Sequence, residues 1–183
     1  FYDNQVKLIW SYREINYSDD KRDFLKLTID EQLLLKMILT FFSNADNIVN
    51  LNIVKFLSKI TIPEIQMTYC IQMYMETQHS LTYAELIENI FNKDEKYKMF
   101  DAVKNYESVK KLMEFALKYN DENNINNYLT AMICVEGLFF SCSFMIIYYI
   151  KNKYIGNNIL KGIFYSNNLI FRDESIHYLF SCH

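Results

Sequence analysis

This chain is poor in the residues that punctuate a fold. Its 183 residues include three glycines and one proline. Turns and hairpins draw heavily on both types, so this scarcity argues for long helices rather than sheet. Four cysteines, Cys70, Cys134, Cys142 and Cys182, show no Cys-x-x-Cys spacing and give no zinc-binding pattern. With apolar neighbours and no pairing pattern, they read as buried, reduced thiols in a reducing compartment, the cytoplasm. No block of like charge occurs, and the net charge is −3. Nucleic-acid binding through a basic surface is therefore not expected. No signal peptide is visible, and the first residue is Phe1 rather than Met, which suggests a trimmed N-terminus.

What the chain has in quantity is apolar side chain, at 51% of residues. That is enough for one domain, 1–183, with a sizeable core. Residues 1–27 read as an arm with a short helix around Lys7–Arg13. Thr28 followed by Glu31 is a capping box, predicting a helix from about Ile29 to Lys59. Thr61 followed by Glu64, with Pro63 in the first turn, predicts a second cap and a helix to about Phe91. Residues 92–105 read as a polar connection with a short helix at most. Ser108 to Tyr119 reads as a short amphipathic helix, and Asp121 to Asn127 as a polar break. An apolar helix is expected from about Asn124 to Lys151, and a final one from about Ile159. Leu129 to Ile150 is long enough to cross a bilayer. Glu136 within it favours a core helix of a soluble bundle instead, with no membrane partner.

Two quartets carry chemistry. Glu76-Thr77-Gln78-His79 and Glu174-Ser175-Ile176-His177 lie 98 residues apart. In a helix, residues three apart share a face, so each quartet aims one carboxylate and one imidazole the same way. Asp46 and Glu136 are further acids inside apolar stretches. Asp46 alone reads equally well as a carboxylate hydrogen-bonded to Asn44 or a neighbouring helix. Brought into one bundle, the four acids and two histidines form the ligand set of a carboxylate-bridged di-metal site. Hard oxygen donors with two imidazoles suit iron or manganese better than zinc.

Several neighbours fall on the same faces. Tyr83 lies one turn beyond His79, although among 15 tyrosines it reads as readily as a packing residue. Phe140, Phe144 and Ile170 can line an apolar pocket one turn from the ligands, or simply fill the core. Asp173 can orient His79 or pair with Arg172. Trp10, the only tryptophan, reads by composition as an apolar anchor of the arm.

These residues sit in text that resembles a known family. Trp10-Ser11-Tyr12-Arg13-Glu14-Ile15, Phe41 through Asn50, Glu76 through Ser80 with Tyr83, Val135 through Ser141, and Ser166 through His177 are similar to the small, radical-generating subunit of class I ribonucleotide reductase, in its eukaryotic or viral-type form. The resemblance runs from about Ile9 to Phe180. It implies an all-α, ferritin-like bundle with two iron ions in its core, in preference to manganese. Asp46, Glu76 and His79 would bind one ion, and Glu136, Glu174 and His177 the other. Tyr83 would be oxidised by O2 chemistry to a stable radical, shielded by Phe140, Phe144 and Ile170. Trp10, Asp173 and His79 would form a relay toward a large subunit that reduces ribonucleoside diphosphates to deoxyribonucleotides. The small subunit would be a homodimer.

The resemblance also sets expectations by its departures. Cys142 stands where the family usually has glycine, and Phe171 where it has a small residue. The family continues past the last residue here with further helices and a flexible tail, so the chain is expected to be a fragment. Two other readings fit the ligands: a non-catalytic small-subunit paralogue acting as a regulatory or structural partner, and a di-metal ligand-binding oxidase. A lost ligand or tyrosine would mark the first, and Tyr83 argues against the second.

Overall fold

The computed structural model describes residues 1–100, 107–118 and 124–183. Among them, regular structure is helical throughout. Helix α1 spans Tyr2–Val6, a 3-10 turn Tyr12–Glu14, and α2 Asp20–Phe24. Helices α3 (Ile29–Leu57) and α4 (Pro63–Ile90) follow, then α5 (Lys93–Phe100) and α6 (Glu107–Lys118). Helix α7 runs Ile125–Lys153 and α8 Lys161–Cys182. Residues 101–105 of the expected connection, Tyr119 at the end of the expected amphipathic helix, and 121–123 of the expected polar break lie outside the described residues.

Four of these helices close a ring. Helix α3 packs on α4, α4 on α8, α8 on α7, and α7 back on α3. The short link 58–62 makes α3 and α4 antiparallel neighbours. The inner face of α3 carries Leu35, Ile38, Leu39, Phe42, Ala45, Asp46, Val49 and Ile53 at helical spacing, all buried. Each large apolar side chain so buried contributes roughly 1.5–3 kcal/mol. Helix α7, apolar enough to span a membrane, instead turns Val135, Glu136, Phe140, Phe144 and Ile147 into this core.

Two helix starts are built differently from each other. At α3 the Thr28 hydroxyl accepts from the Glu31 amide, and Glu31 accepts from the Thr28 amide, as the sequence predicts. Glu31 also receives Lys153 at 2.6 Å and the Tyr154 hydroxyl at 2.8 Å, which ties α3 to the end of α7. The predicted cap at Thr61 does not form: Pro63 is the first helical residue, so the cap position falls to Ile62, which has no side-chain oxygen. Helix α8 is capped from a distance. Asp20 accepts the amides of Gly162 and Ile163, and Asp23 accepts that of Leu160.

The arm also differs from expectation. Its α-helices lie at Tyr2–Val6 and Asp20–Phe24, and Lys7–Arg13 holds only a turn and the start of the 3-10 turn. Tertiary contacts decide this, because Arg172 binds the Leu8 carbonyl and Asp173 binds Trp10. The cysteines are a second correction. They are unpaired, but Cys70, Cys142 and Cys182 are exposed and Cys134 half-buried. Cys142 lies two residues after buried Phe140, which turns its thiol to the opposite side of α7.

Candidate metal centre

The bundle brings the six predicted ligand residues together. Asp46 comes from α3, Glu76 and His79 from α4, Glu136 from α7, and Glu174 and His177 from α8. Four are wholly inaccessible, and Glu136 and Glu174 are 2% exposed. Two groups of donor atoms each lie within 4.8 Å of one another: Asp46, Glu76 and His79, and Glu76, Glu136, Glu174 and His177. Glu76 belongs to both and so stands between two cation positions.

The approach distances suit shared cations. His177 Nδ1 is 2.9 Å from Glu76 Oε1 and 3.4 Å from Glu174 Oε2. His79 Nδ1 is 2.9 Å from Glu174 Oε1 and 3.3 Å from Glu76 Oε2. Both Nδ1 atoms thus face the same two carboxylates. Both oxygens of Asp46 and Oε2 of Glu136 have no hydrogen-bond partner. Asn44, the sequence-based alternative partner of Asp46, binds the Thr40 carbonyl instead. Leaving ionised carboxylates buried and unpaired costs several kcal/mol each. Two divalent cations carry the charge that balances four carboxylates, and the donors match iron or manganese. The residues fit a di-metal centre.

Proton affinities follow the same crowding. Burial first, and then the charge of Glu76, hold the Asp46 carboxyl well above its ordinary range. Burial and Glu174 do the same to Glu136. Burial opposes ionisation of Glu76 too, but His177 and His79 bring it down to about 2. Burial lowers His177, and the carboxylates of Glu76 and Glu174 outweigh it, pushing it up to about 10.

Glu136 reaches the site through an irregularity. Ile133–Phe139 is a π-helical stretch within α7. The wider turn shifts the inward face by part of a turn between Met132 and Phe140, with Glu136 at its midpoint. Gln72, one turn before Glu76, donates from Nε2 to Glu136 Oε1 at 2.8 Å. Sequence reading missed both the π stretch and Gln72. The spacing of Gln72 to Glu76 was the available signal.

The residues around His79 form a chain of contacts. His79 Nε2 is 3.2 Å from Asp173 Oδ2, and the Trp10 indole N–H donates to that same oxygen at 2.6 Å. Asp173 Oδ1 accepts from Arg172 at 2.9 Å. Both readings of Asp173 are therefore realised, one on each oxygen. Trp10 is buried and stacks near His79, ring centroids 6.0 Å apart.

Tyr83 is buried, and its hydroxyl has no hydrogen-bond partner. Burial, then the Asp46 charge, holds the phenol well above its ordinary range, so it stays protonated. Its ring stacks on Phe42, which stacks in turn on Phe144 at 4.8 Å and meets Phe140 edge-on at 5.4 Å. Phe140, Phe144 and Ile170 are all buried. Phe42 is the ring the sequence reading left out of the pocket, although it lies one turn before Asp46. Phe171 packs edge-on against Phe144 at 5.5 Å.

The sequence model of the family described as "Ribonucleotide reductase, small chain" matches residues 1–183. The chain belongs to this family. It is 40% identical over its whole length to the ribonucleoside-diphosphate reductase small subunit of Plasmodium falciparum, and spans 56% of that protein. It is 37% identical, over 99% of its length, to the small chain of Yaba-like disease virus, and again spans 56%. The fold matches the ribonucleotide reductase Rnr4 homodimer of Saccharomyces cerevisiae with a TM-score of 0.84 and 25% identity, over 99% of this chain and 57% of that one. The chain thus spans little more than half the length of its small-chain relatives. Its own fold is all-α and ferritin-like, with a carboxylate–histidine cluster in the core.

Proposed function

We propose that this chain is the metal-binding core of a ribonucleotide reductase small subunit, which stores an oxidising equivalent on Tyr83 for a large-subunit partner. The observation that carries this is the convergence of four buried carboxylates and two Nδ1 atoms in the core that also buries the unpartnered Tyr83 phenol. Asp46, Glu76 and His79 would hold one ion, and Glu136, Glu174 and His177 the other, with Glu76 between them. Two iron ions bound there would supply the electrons that begin O2 reduction. Manganese satisfies the same donors and is the alternative metal.

The chain's own residues do the rest. Tyr83 gives up one electron and its phenolic proton, and after burial the charge of Asp46 acts most strongly on the phenol. Phe42, Phe140, Phe144 and Ile170 exclude water and reductants from the ring. Asp173 orients His79 and connects it to Trp10, a route by which the stored equivalent leaves toward the large subunit, where ribonucleotides are reduced. Assembly as a homodimer and a cytoplasmic location, consistent with free cysteines, complete the reading.

The test is low-temperature EPR of the full-length protein after addition of ferrous iron and O2. A persistent tyrosyl signal, with two irons per chain, is expected. Failure to take up iron, or uptake without any tyrosyl signal, overturns the reading.

A further inference from the structure

Two acids of the centre, Asp46 and Glu136, are held differently. Asp46 has no hydrogen-bond partner on either oxygen. Glu136 has one oxygen engaged: Gln72 Nε2 donates to its Oε1 at 2.8 Å, and Oε2 is left without a partner. Gln72 is wholly inaccessible and Glu136 nearly so, so bulk water does not compete for that bond. An ionised carboxylate only accepts, and the amide presents its NH2 to it. Gln72 lies four residues before Glu76, on the buried face of α4 that carries the ligands. The backbone beneath Glu136 has little freedom. It lies in the π stretch, and Gly137 packs so closely on the Tyr178 ring that a Cβ would collide with it. The carboxylate therefore reorients through its side-chain torsions, and the Gln72 bond restrains them.

We propose that Gln72 is a positioning residue that limits Glu136 to single-oxygen binding of its cation. This rests on the di-metal reading above. A carboxylate with both oxygens free can chelate one cation, as Asp46 can. Glu136 would have to give up the Gln72 bond to do so. The amide would then be buried with neither end partnered, since its Oε1 already has no partner. Leaving a buried donor unmade carries its full desolvation penalty, and that penalty is the restraint. The cation beside Glu136 thus keeps one oxygen donor fewer than its carboxylates could supply. Its free position is left for a small ligand. At the Asp46 position no hydrogen bond enforces the same limit.

The experiment compares full-length wild type with Gln72→Met, which keeps the length of the side chain and removes the donor. Gln72→Leu is the second variant. Thermal unfolding of the metal-free proteins checks the fold. Manganese(II) binding to them is followed by EPR titration, and near-infrared magnetic circular dichroism of the ferrous proteins reads the coordination number at each ion. Wild type is expected to bind two ions. In the variants one ion should gain an oxygen donor, and manganese affinity should equal that of wild type or exceed it by a few-fold. Loss of an ordinary supporting bond to a ligand instead weakens binding about 10- to 100-fold. Such a loss, or ferrous bands unchanged from wild type, overturns the inference while two-ion binding by wild type stands. So does unfolding of both metal-free variants, which would make Gln72 a residue of the fold alone. Failure of wild type to bind two ions overturns the metal reading, and this inference with it.

Discussion

The rings of Phe42 and Tyr83 lie parallel, with 4° between their planes and centroids 5.0 Å apart. Phe42 is wholly buried and stacks on the tyrosine. Phe42→Ala should therefore act twice. The cavity should destabilise the fold by about 3–5 kcal/mol. Water admitted beside the phenol should shorten the radical lifetime while iron content holds. Urea midpoints and the decay of the EPR signal measure the two effects separately.

Tyr83→Phe and Glu136→Ala should part company. The first removes a hydroxyl that has no hydrogen-bond partner, so iron stoichiometry should be unchanged while the persistent tyrosyl signal disappears. The second removes a carboxylate from one of the two donor groups, so iron and signal should fall together. Iron analysis beside EPR decides. A full-strength persistent signal in Tyr83→Phe would assign the stored radical to another tyrosine.

Asp173 holds His79 on one side and Trp10 on the other through a single oxygen. Asp173→Ala should weaken iron binding about 10- to 100-fold, as loss of a ligand's supporting hydrogen bond does. Trp10→Phe keeps an aromatic ring and leaves His79 its partner. It should form the Tyr83 radical normally yet fail to support nucleotide reduction with the large subunit. Iron competition titrations and coupled turnover distinguish these outcomes. Equal turnover by Trp10→Phe and wild type would remove Trp10 from the relay.

Glu31 sets an acid limit on the fold. Burial alone would raise its carboxyl, but Lys153, Thr28 and Tyr154 hold it down to about 2 from an ordinary 4.5. A lowered folded-state value means stability fully present above pH 4.5 and lost as pH falls toward 2. Glu31→Gln should cost on the order of 1–3 kcal/mol at pH 7. The gap from wild type should narrow below pH 4.5. Urea unfolding at pH 7, 5 and 3 tests the sign; a gap that widens in acid contradicts it.

Gly162 leaves no room for a side chain. A Cβ there would lie 2.5 Å from Asp20 Oδ2 and from Tyr17, and 2.7 Å from the Asn16 carbonyl. Gly162→Ala should destabilise by about 1–3 kcal/mol. It should also weaken iron binding, because it pushes the Asp20 cap off the helix that carries Glu174 and His177. Thermal unfolding with and without iron checks both.

The bundle and its ligands were largely legible in sequence because both follow helical period. Apolar spacing put α3 at Ile29–Lys59 against the observed Ile29–Leu57. The Glu-x-x-His spacing needs only a helix to place two donors together. What was hidden depends on packing between elements. No residue type signals the π stretch at Ile133–Phe139, and nothing local marks Phe42 among 14 phenylalanines as the ring against Tyr83. The arm's shape is set by Asp173 and Arg172, more than 160 residues away. The cysteines misled because apolar neighbours along a helix point in several directions, and Cys142 takes the outward one.

The clasp between arm and final helix imposes an order of events on the living chain. Trp10 must wait for Asp173, and Asp20 for Gly162 and Ile163, across 142 to 163 residues. Contacts of such separation form late in folding. During synthesis, Asp46, Glu76 and His79 emerge well before Glu174 and His177, and can offer a cation only half a cage. The early helices thus offer stray metal an incomplete set of donors, and the set is completed only when the last helix joins the bundle.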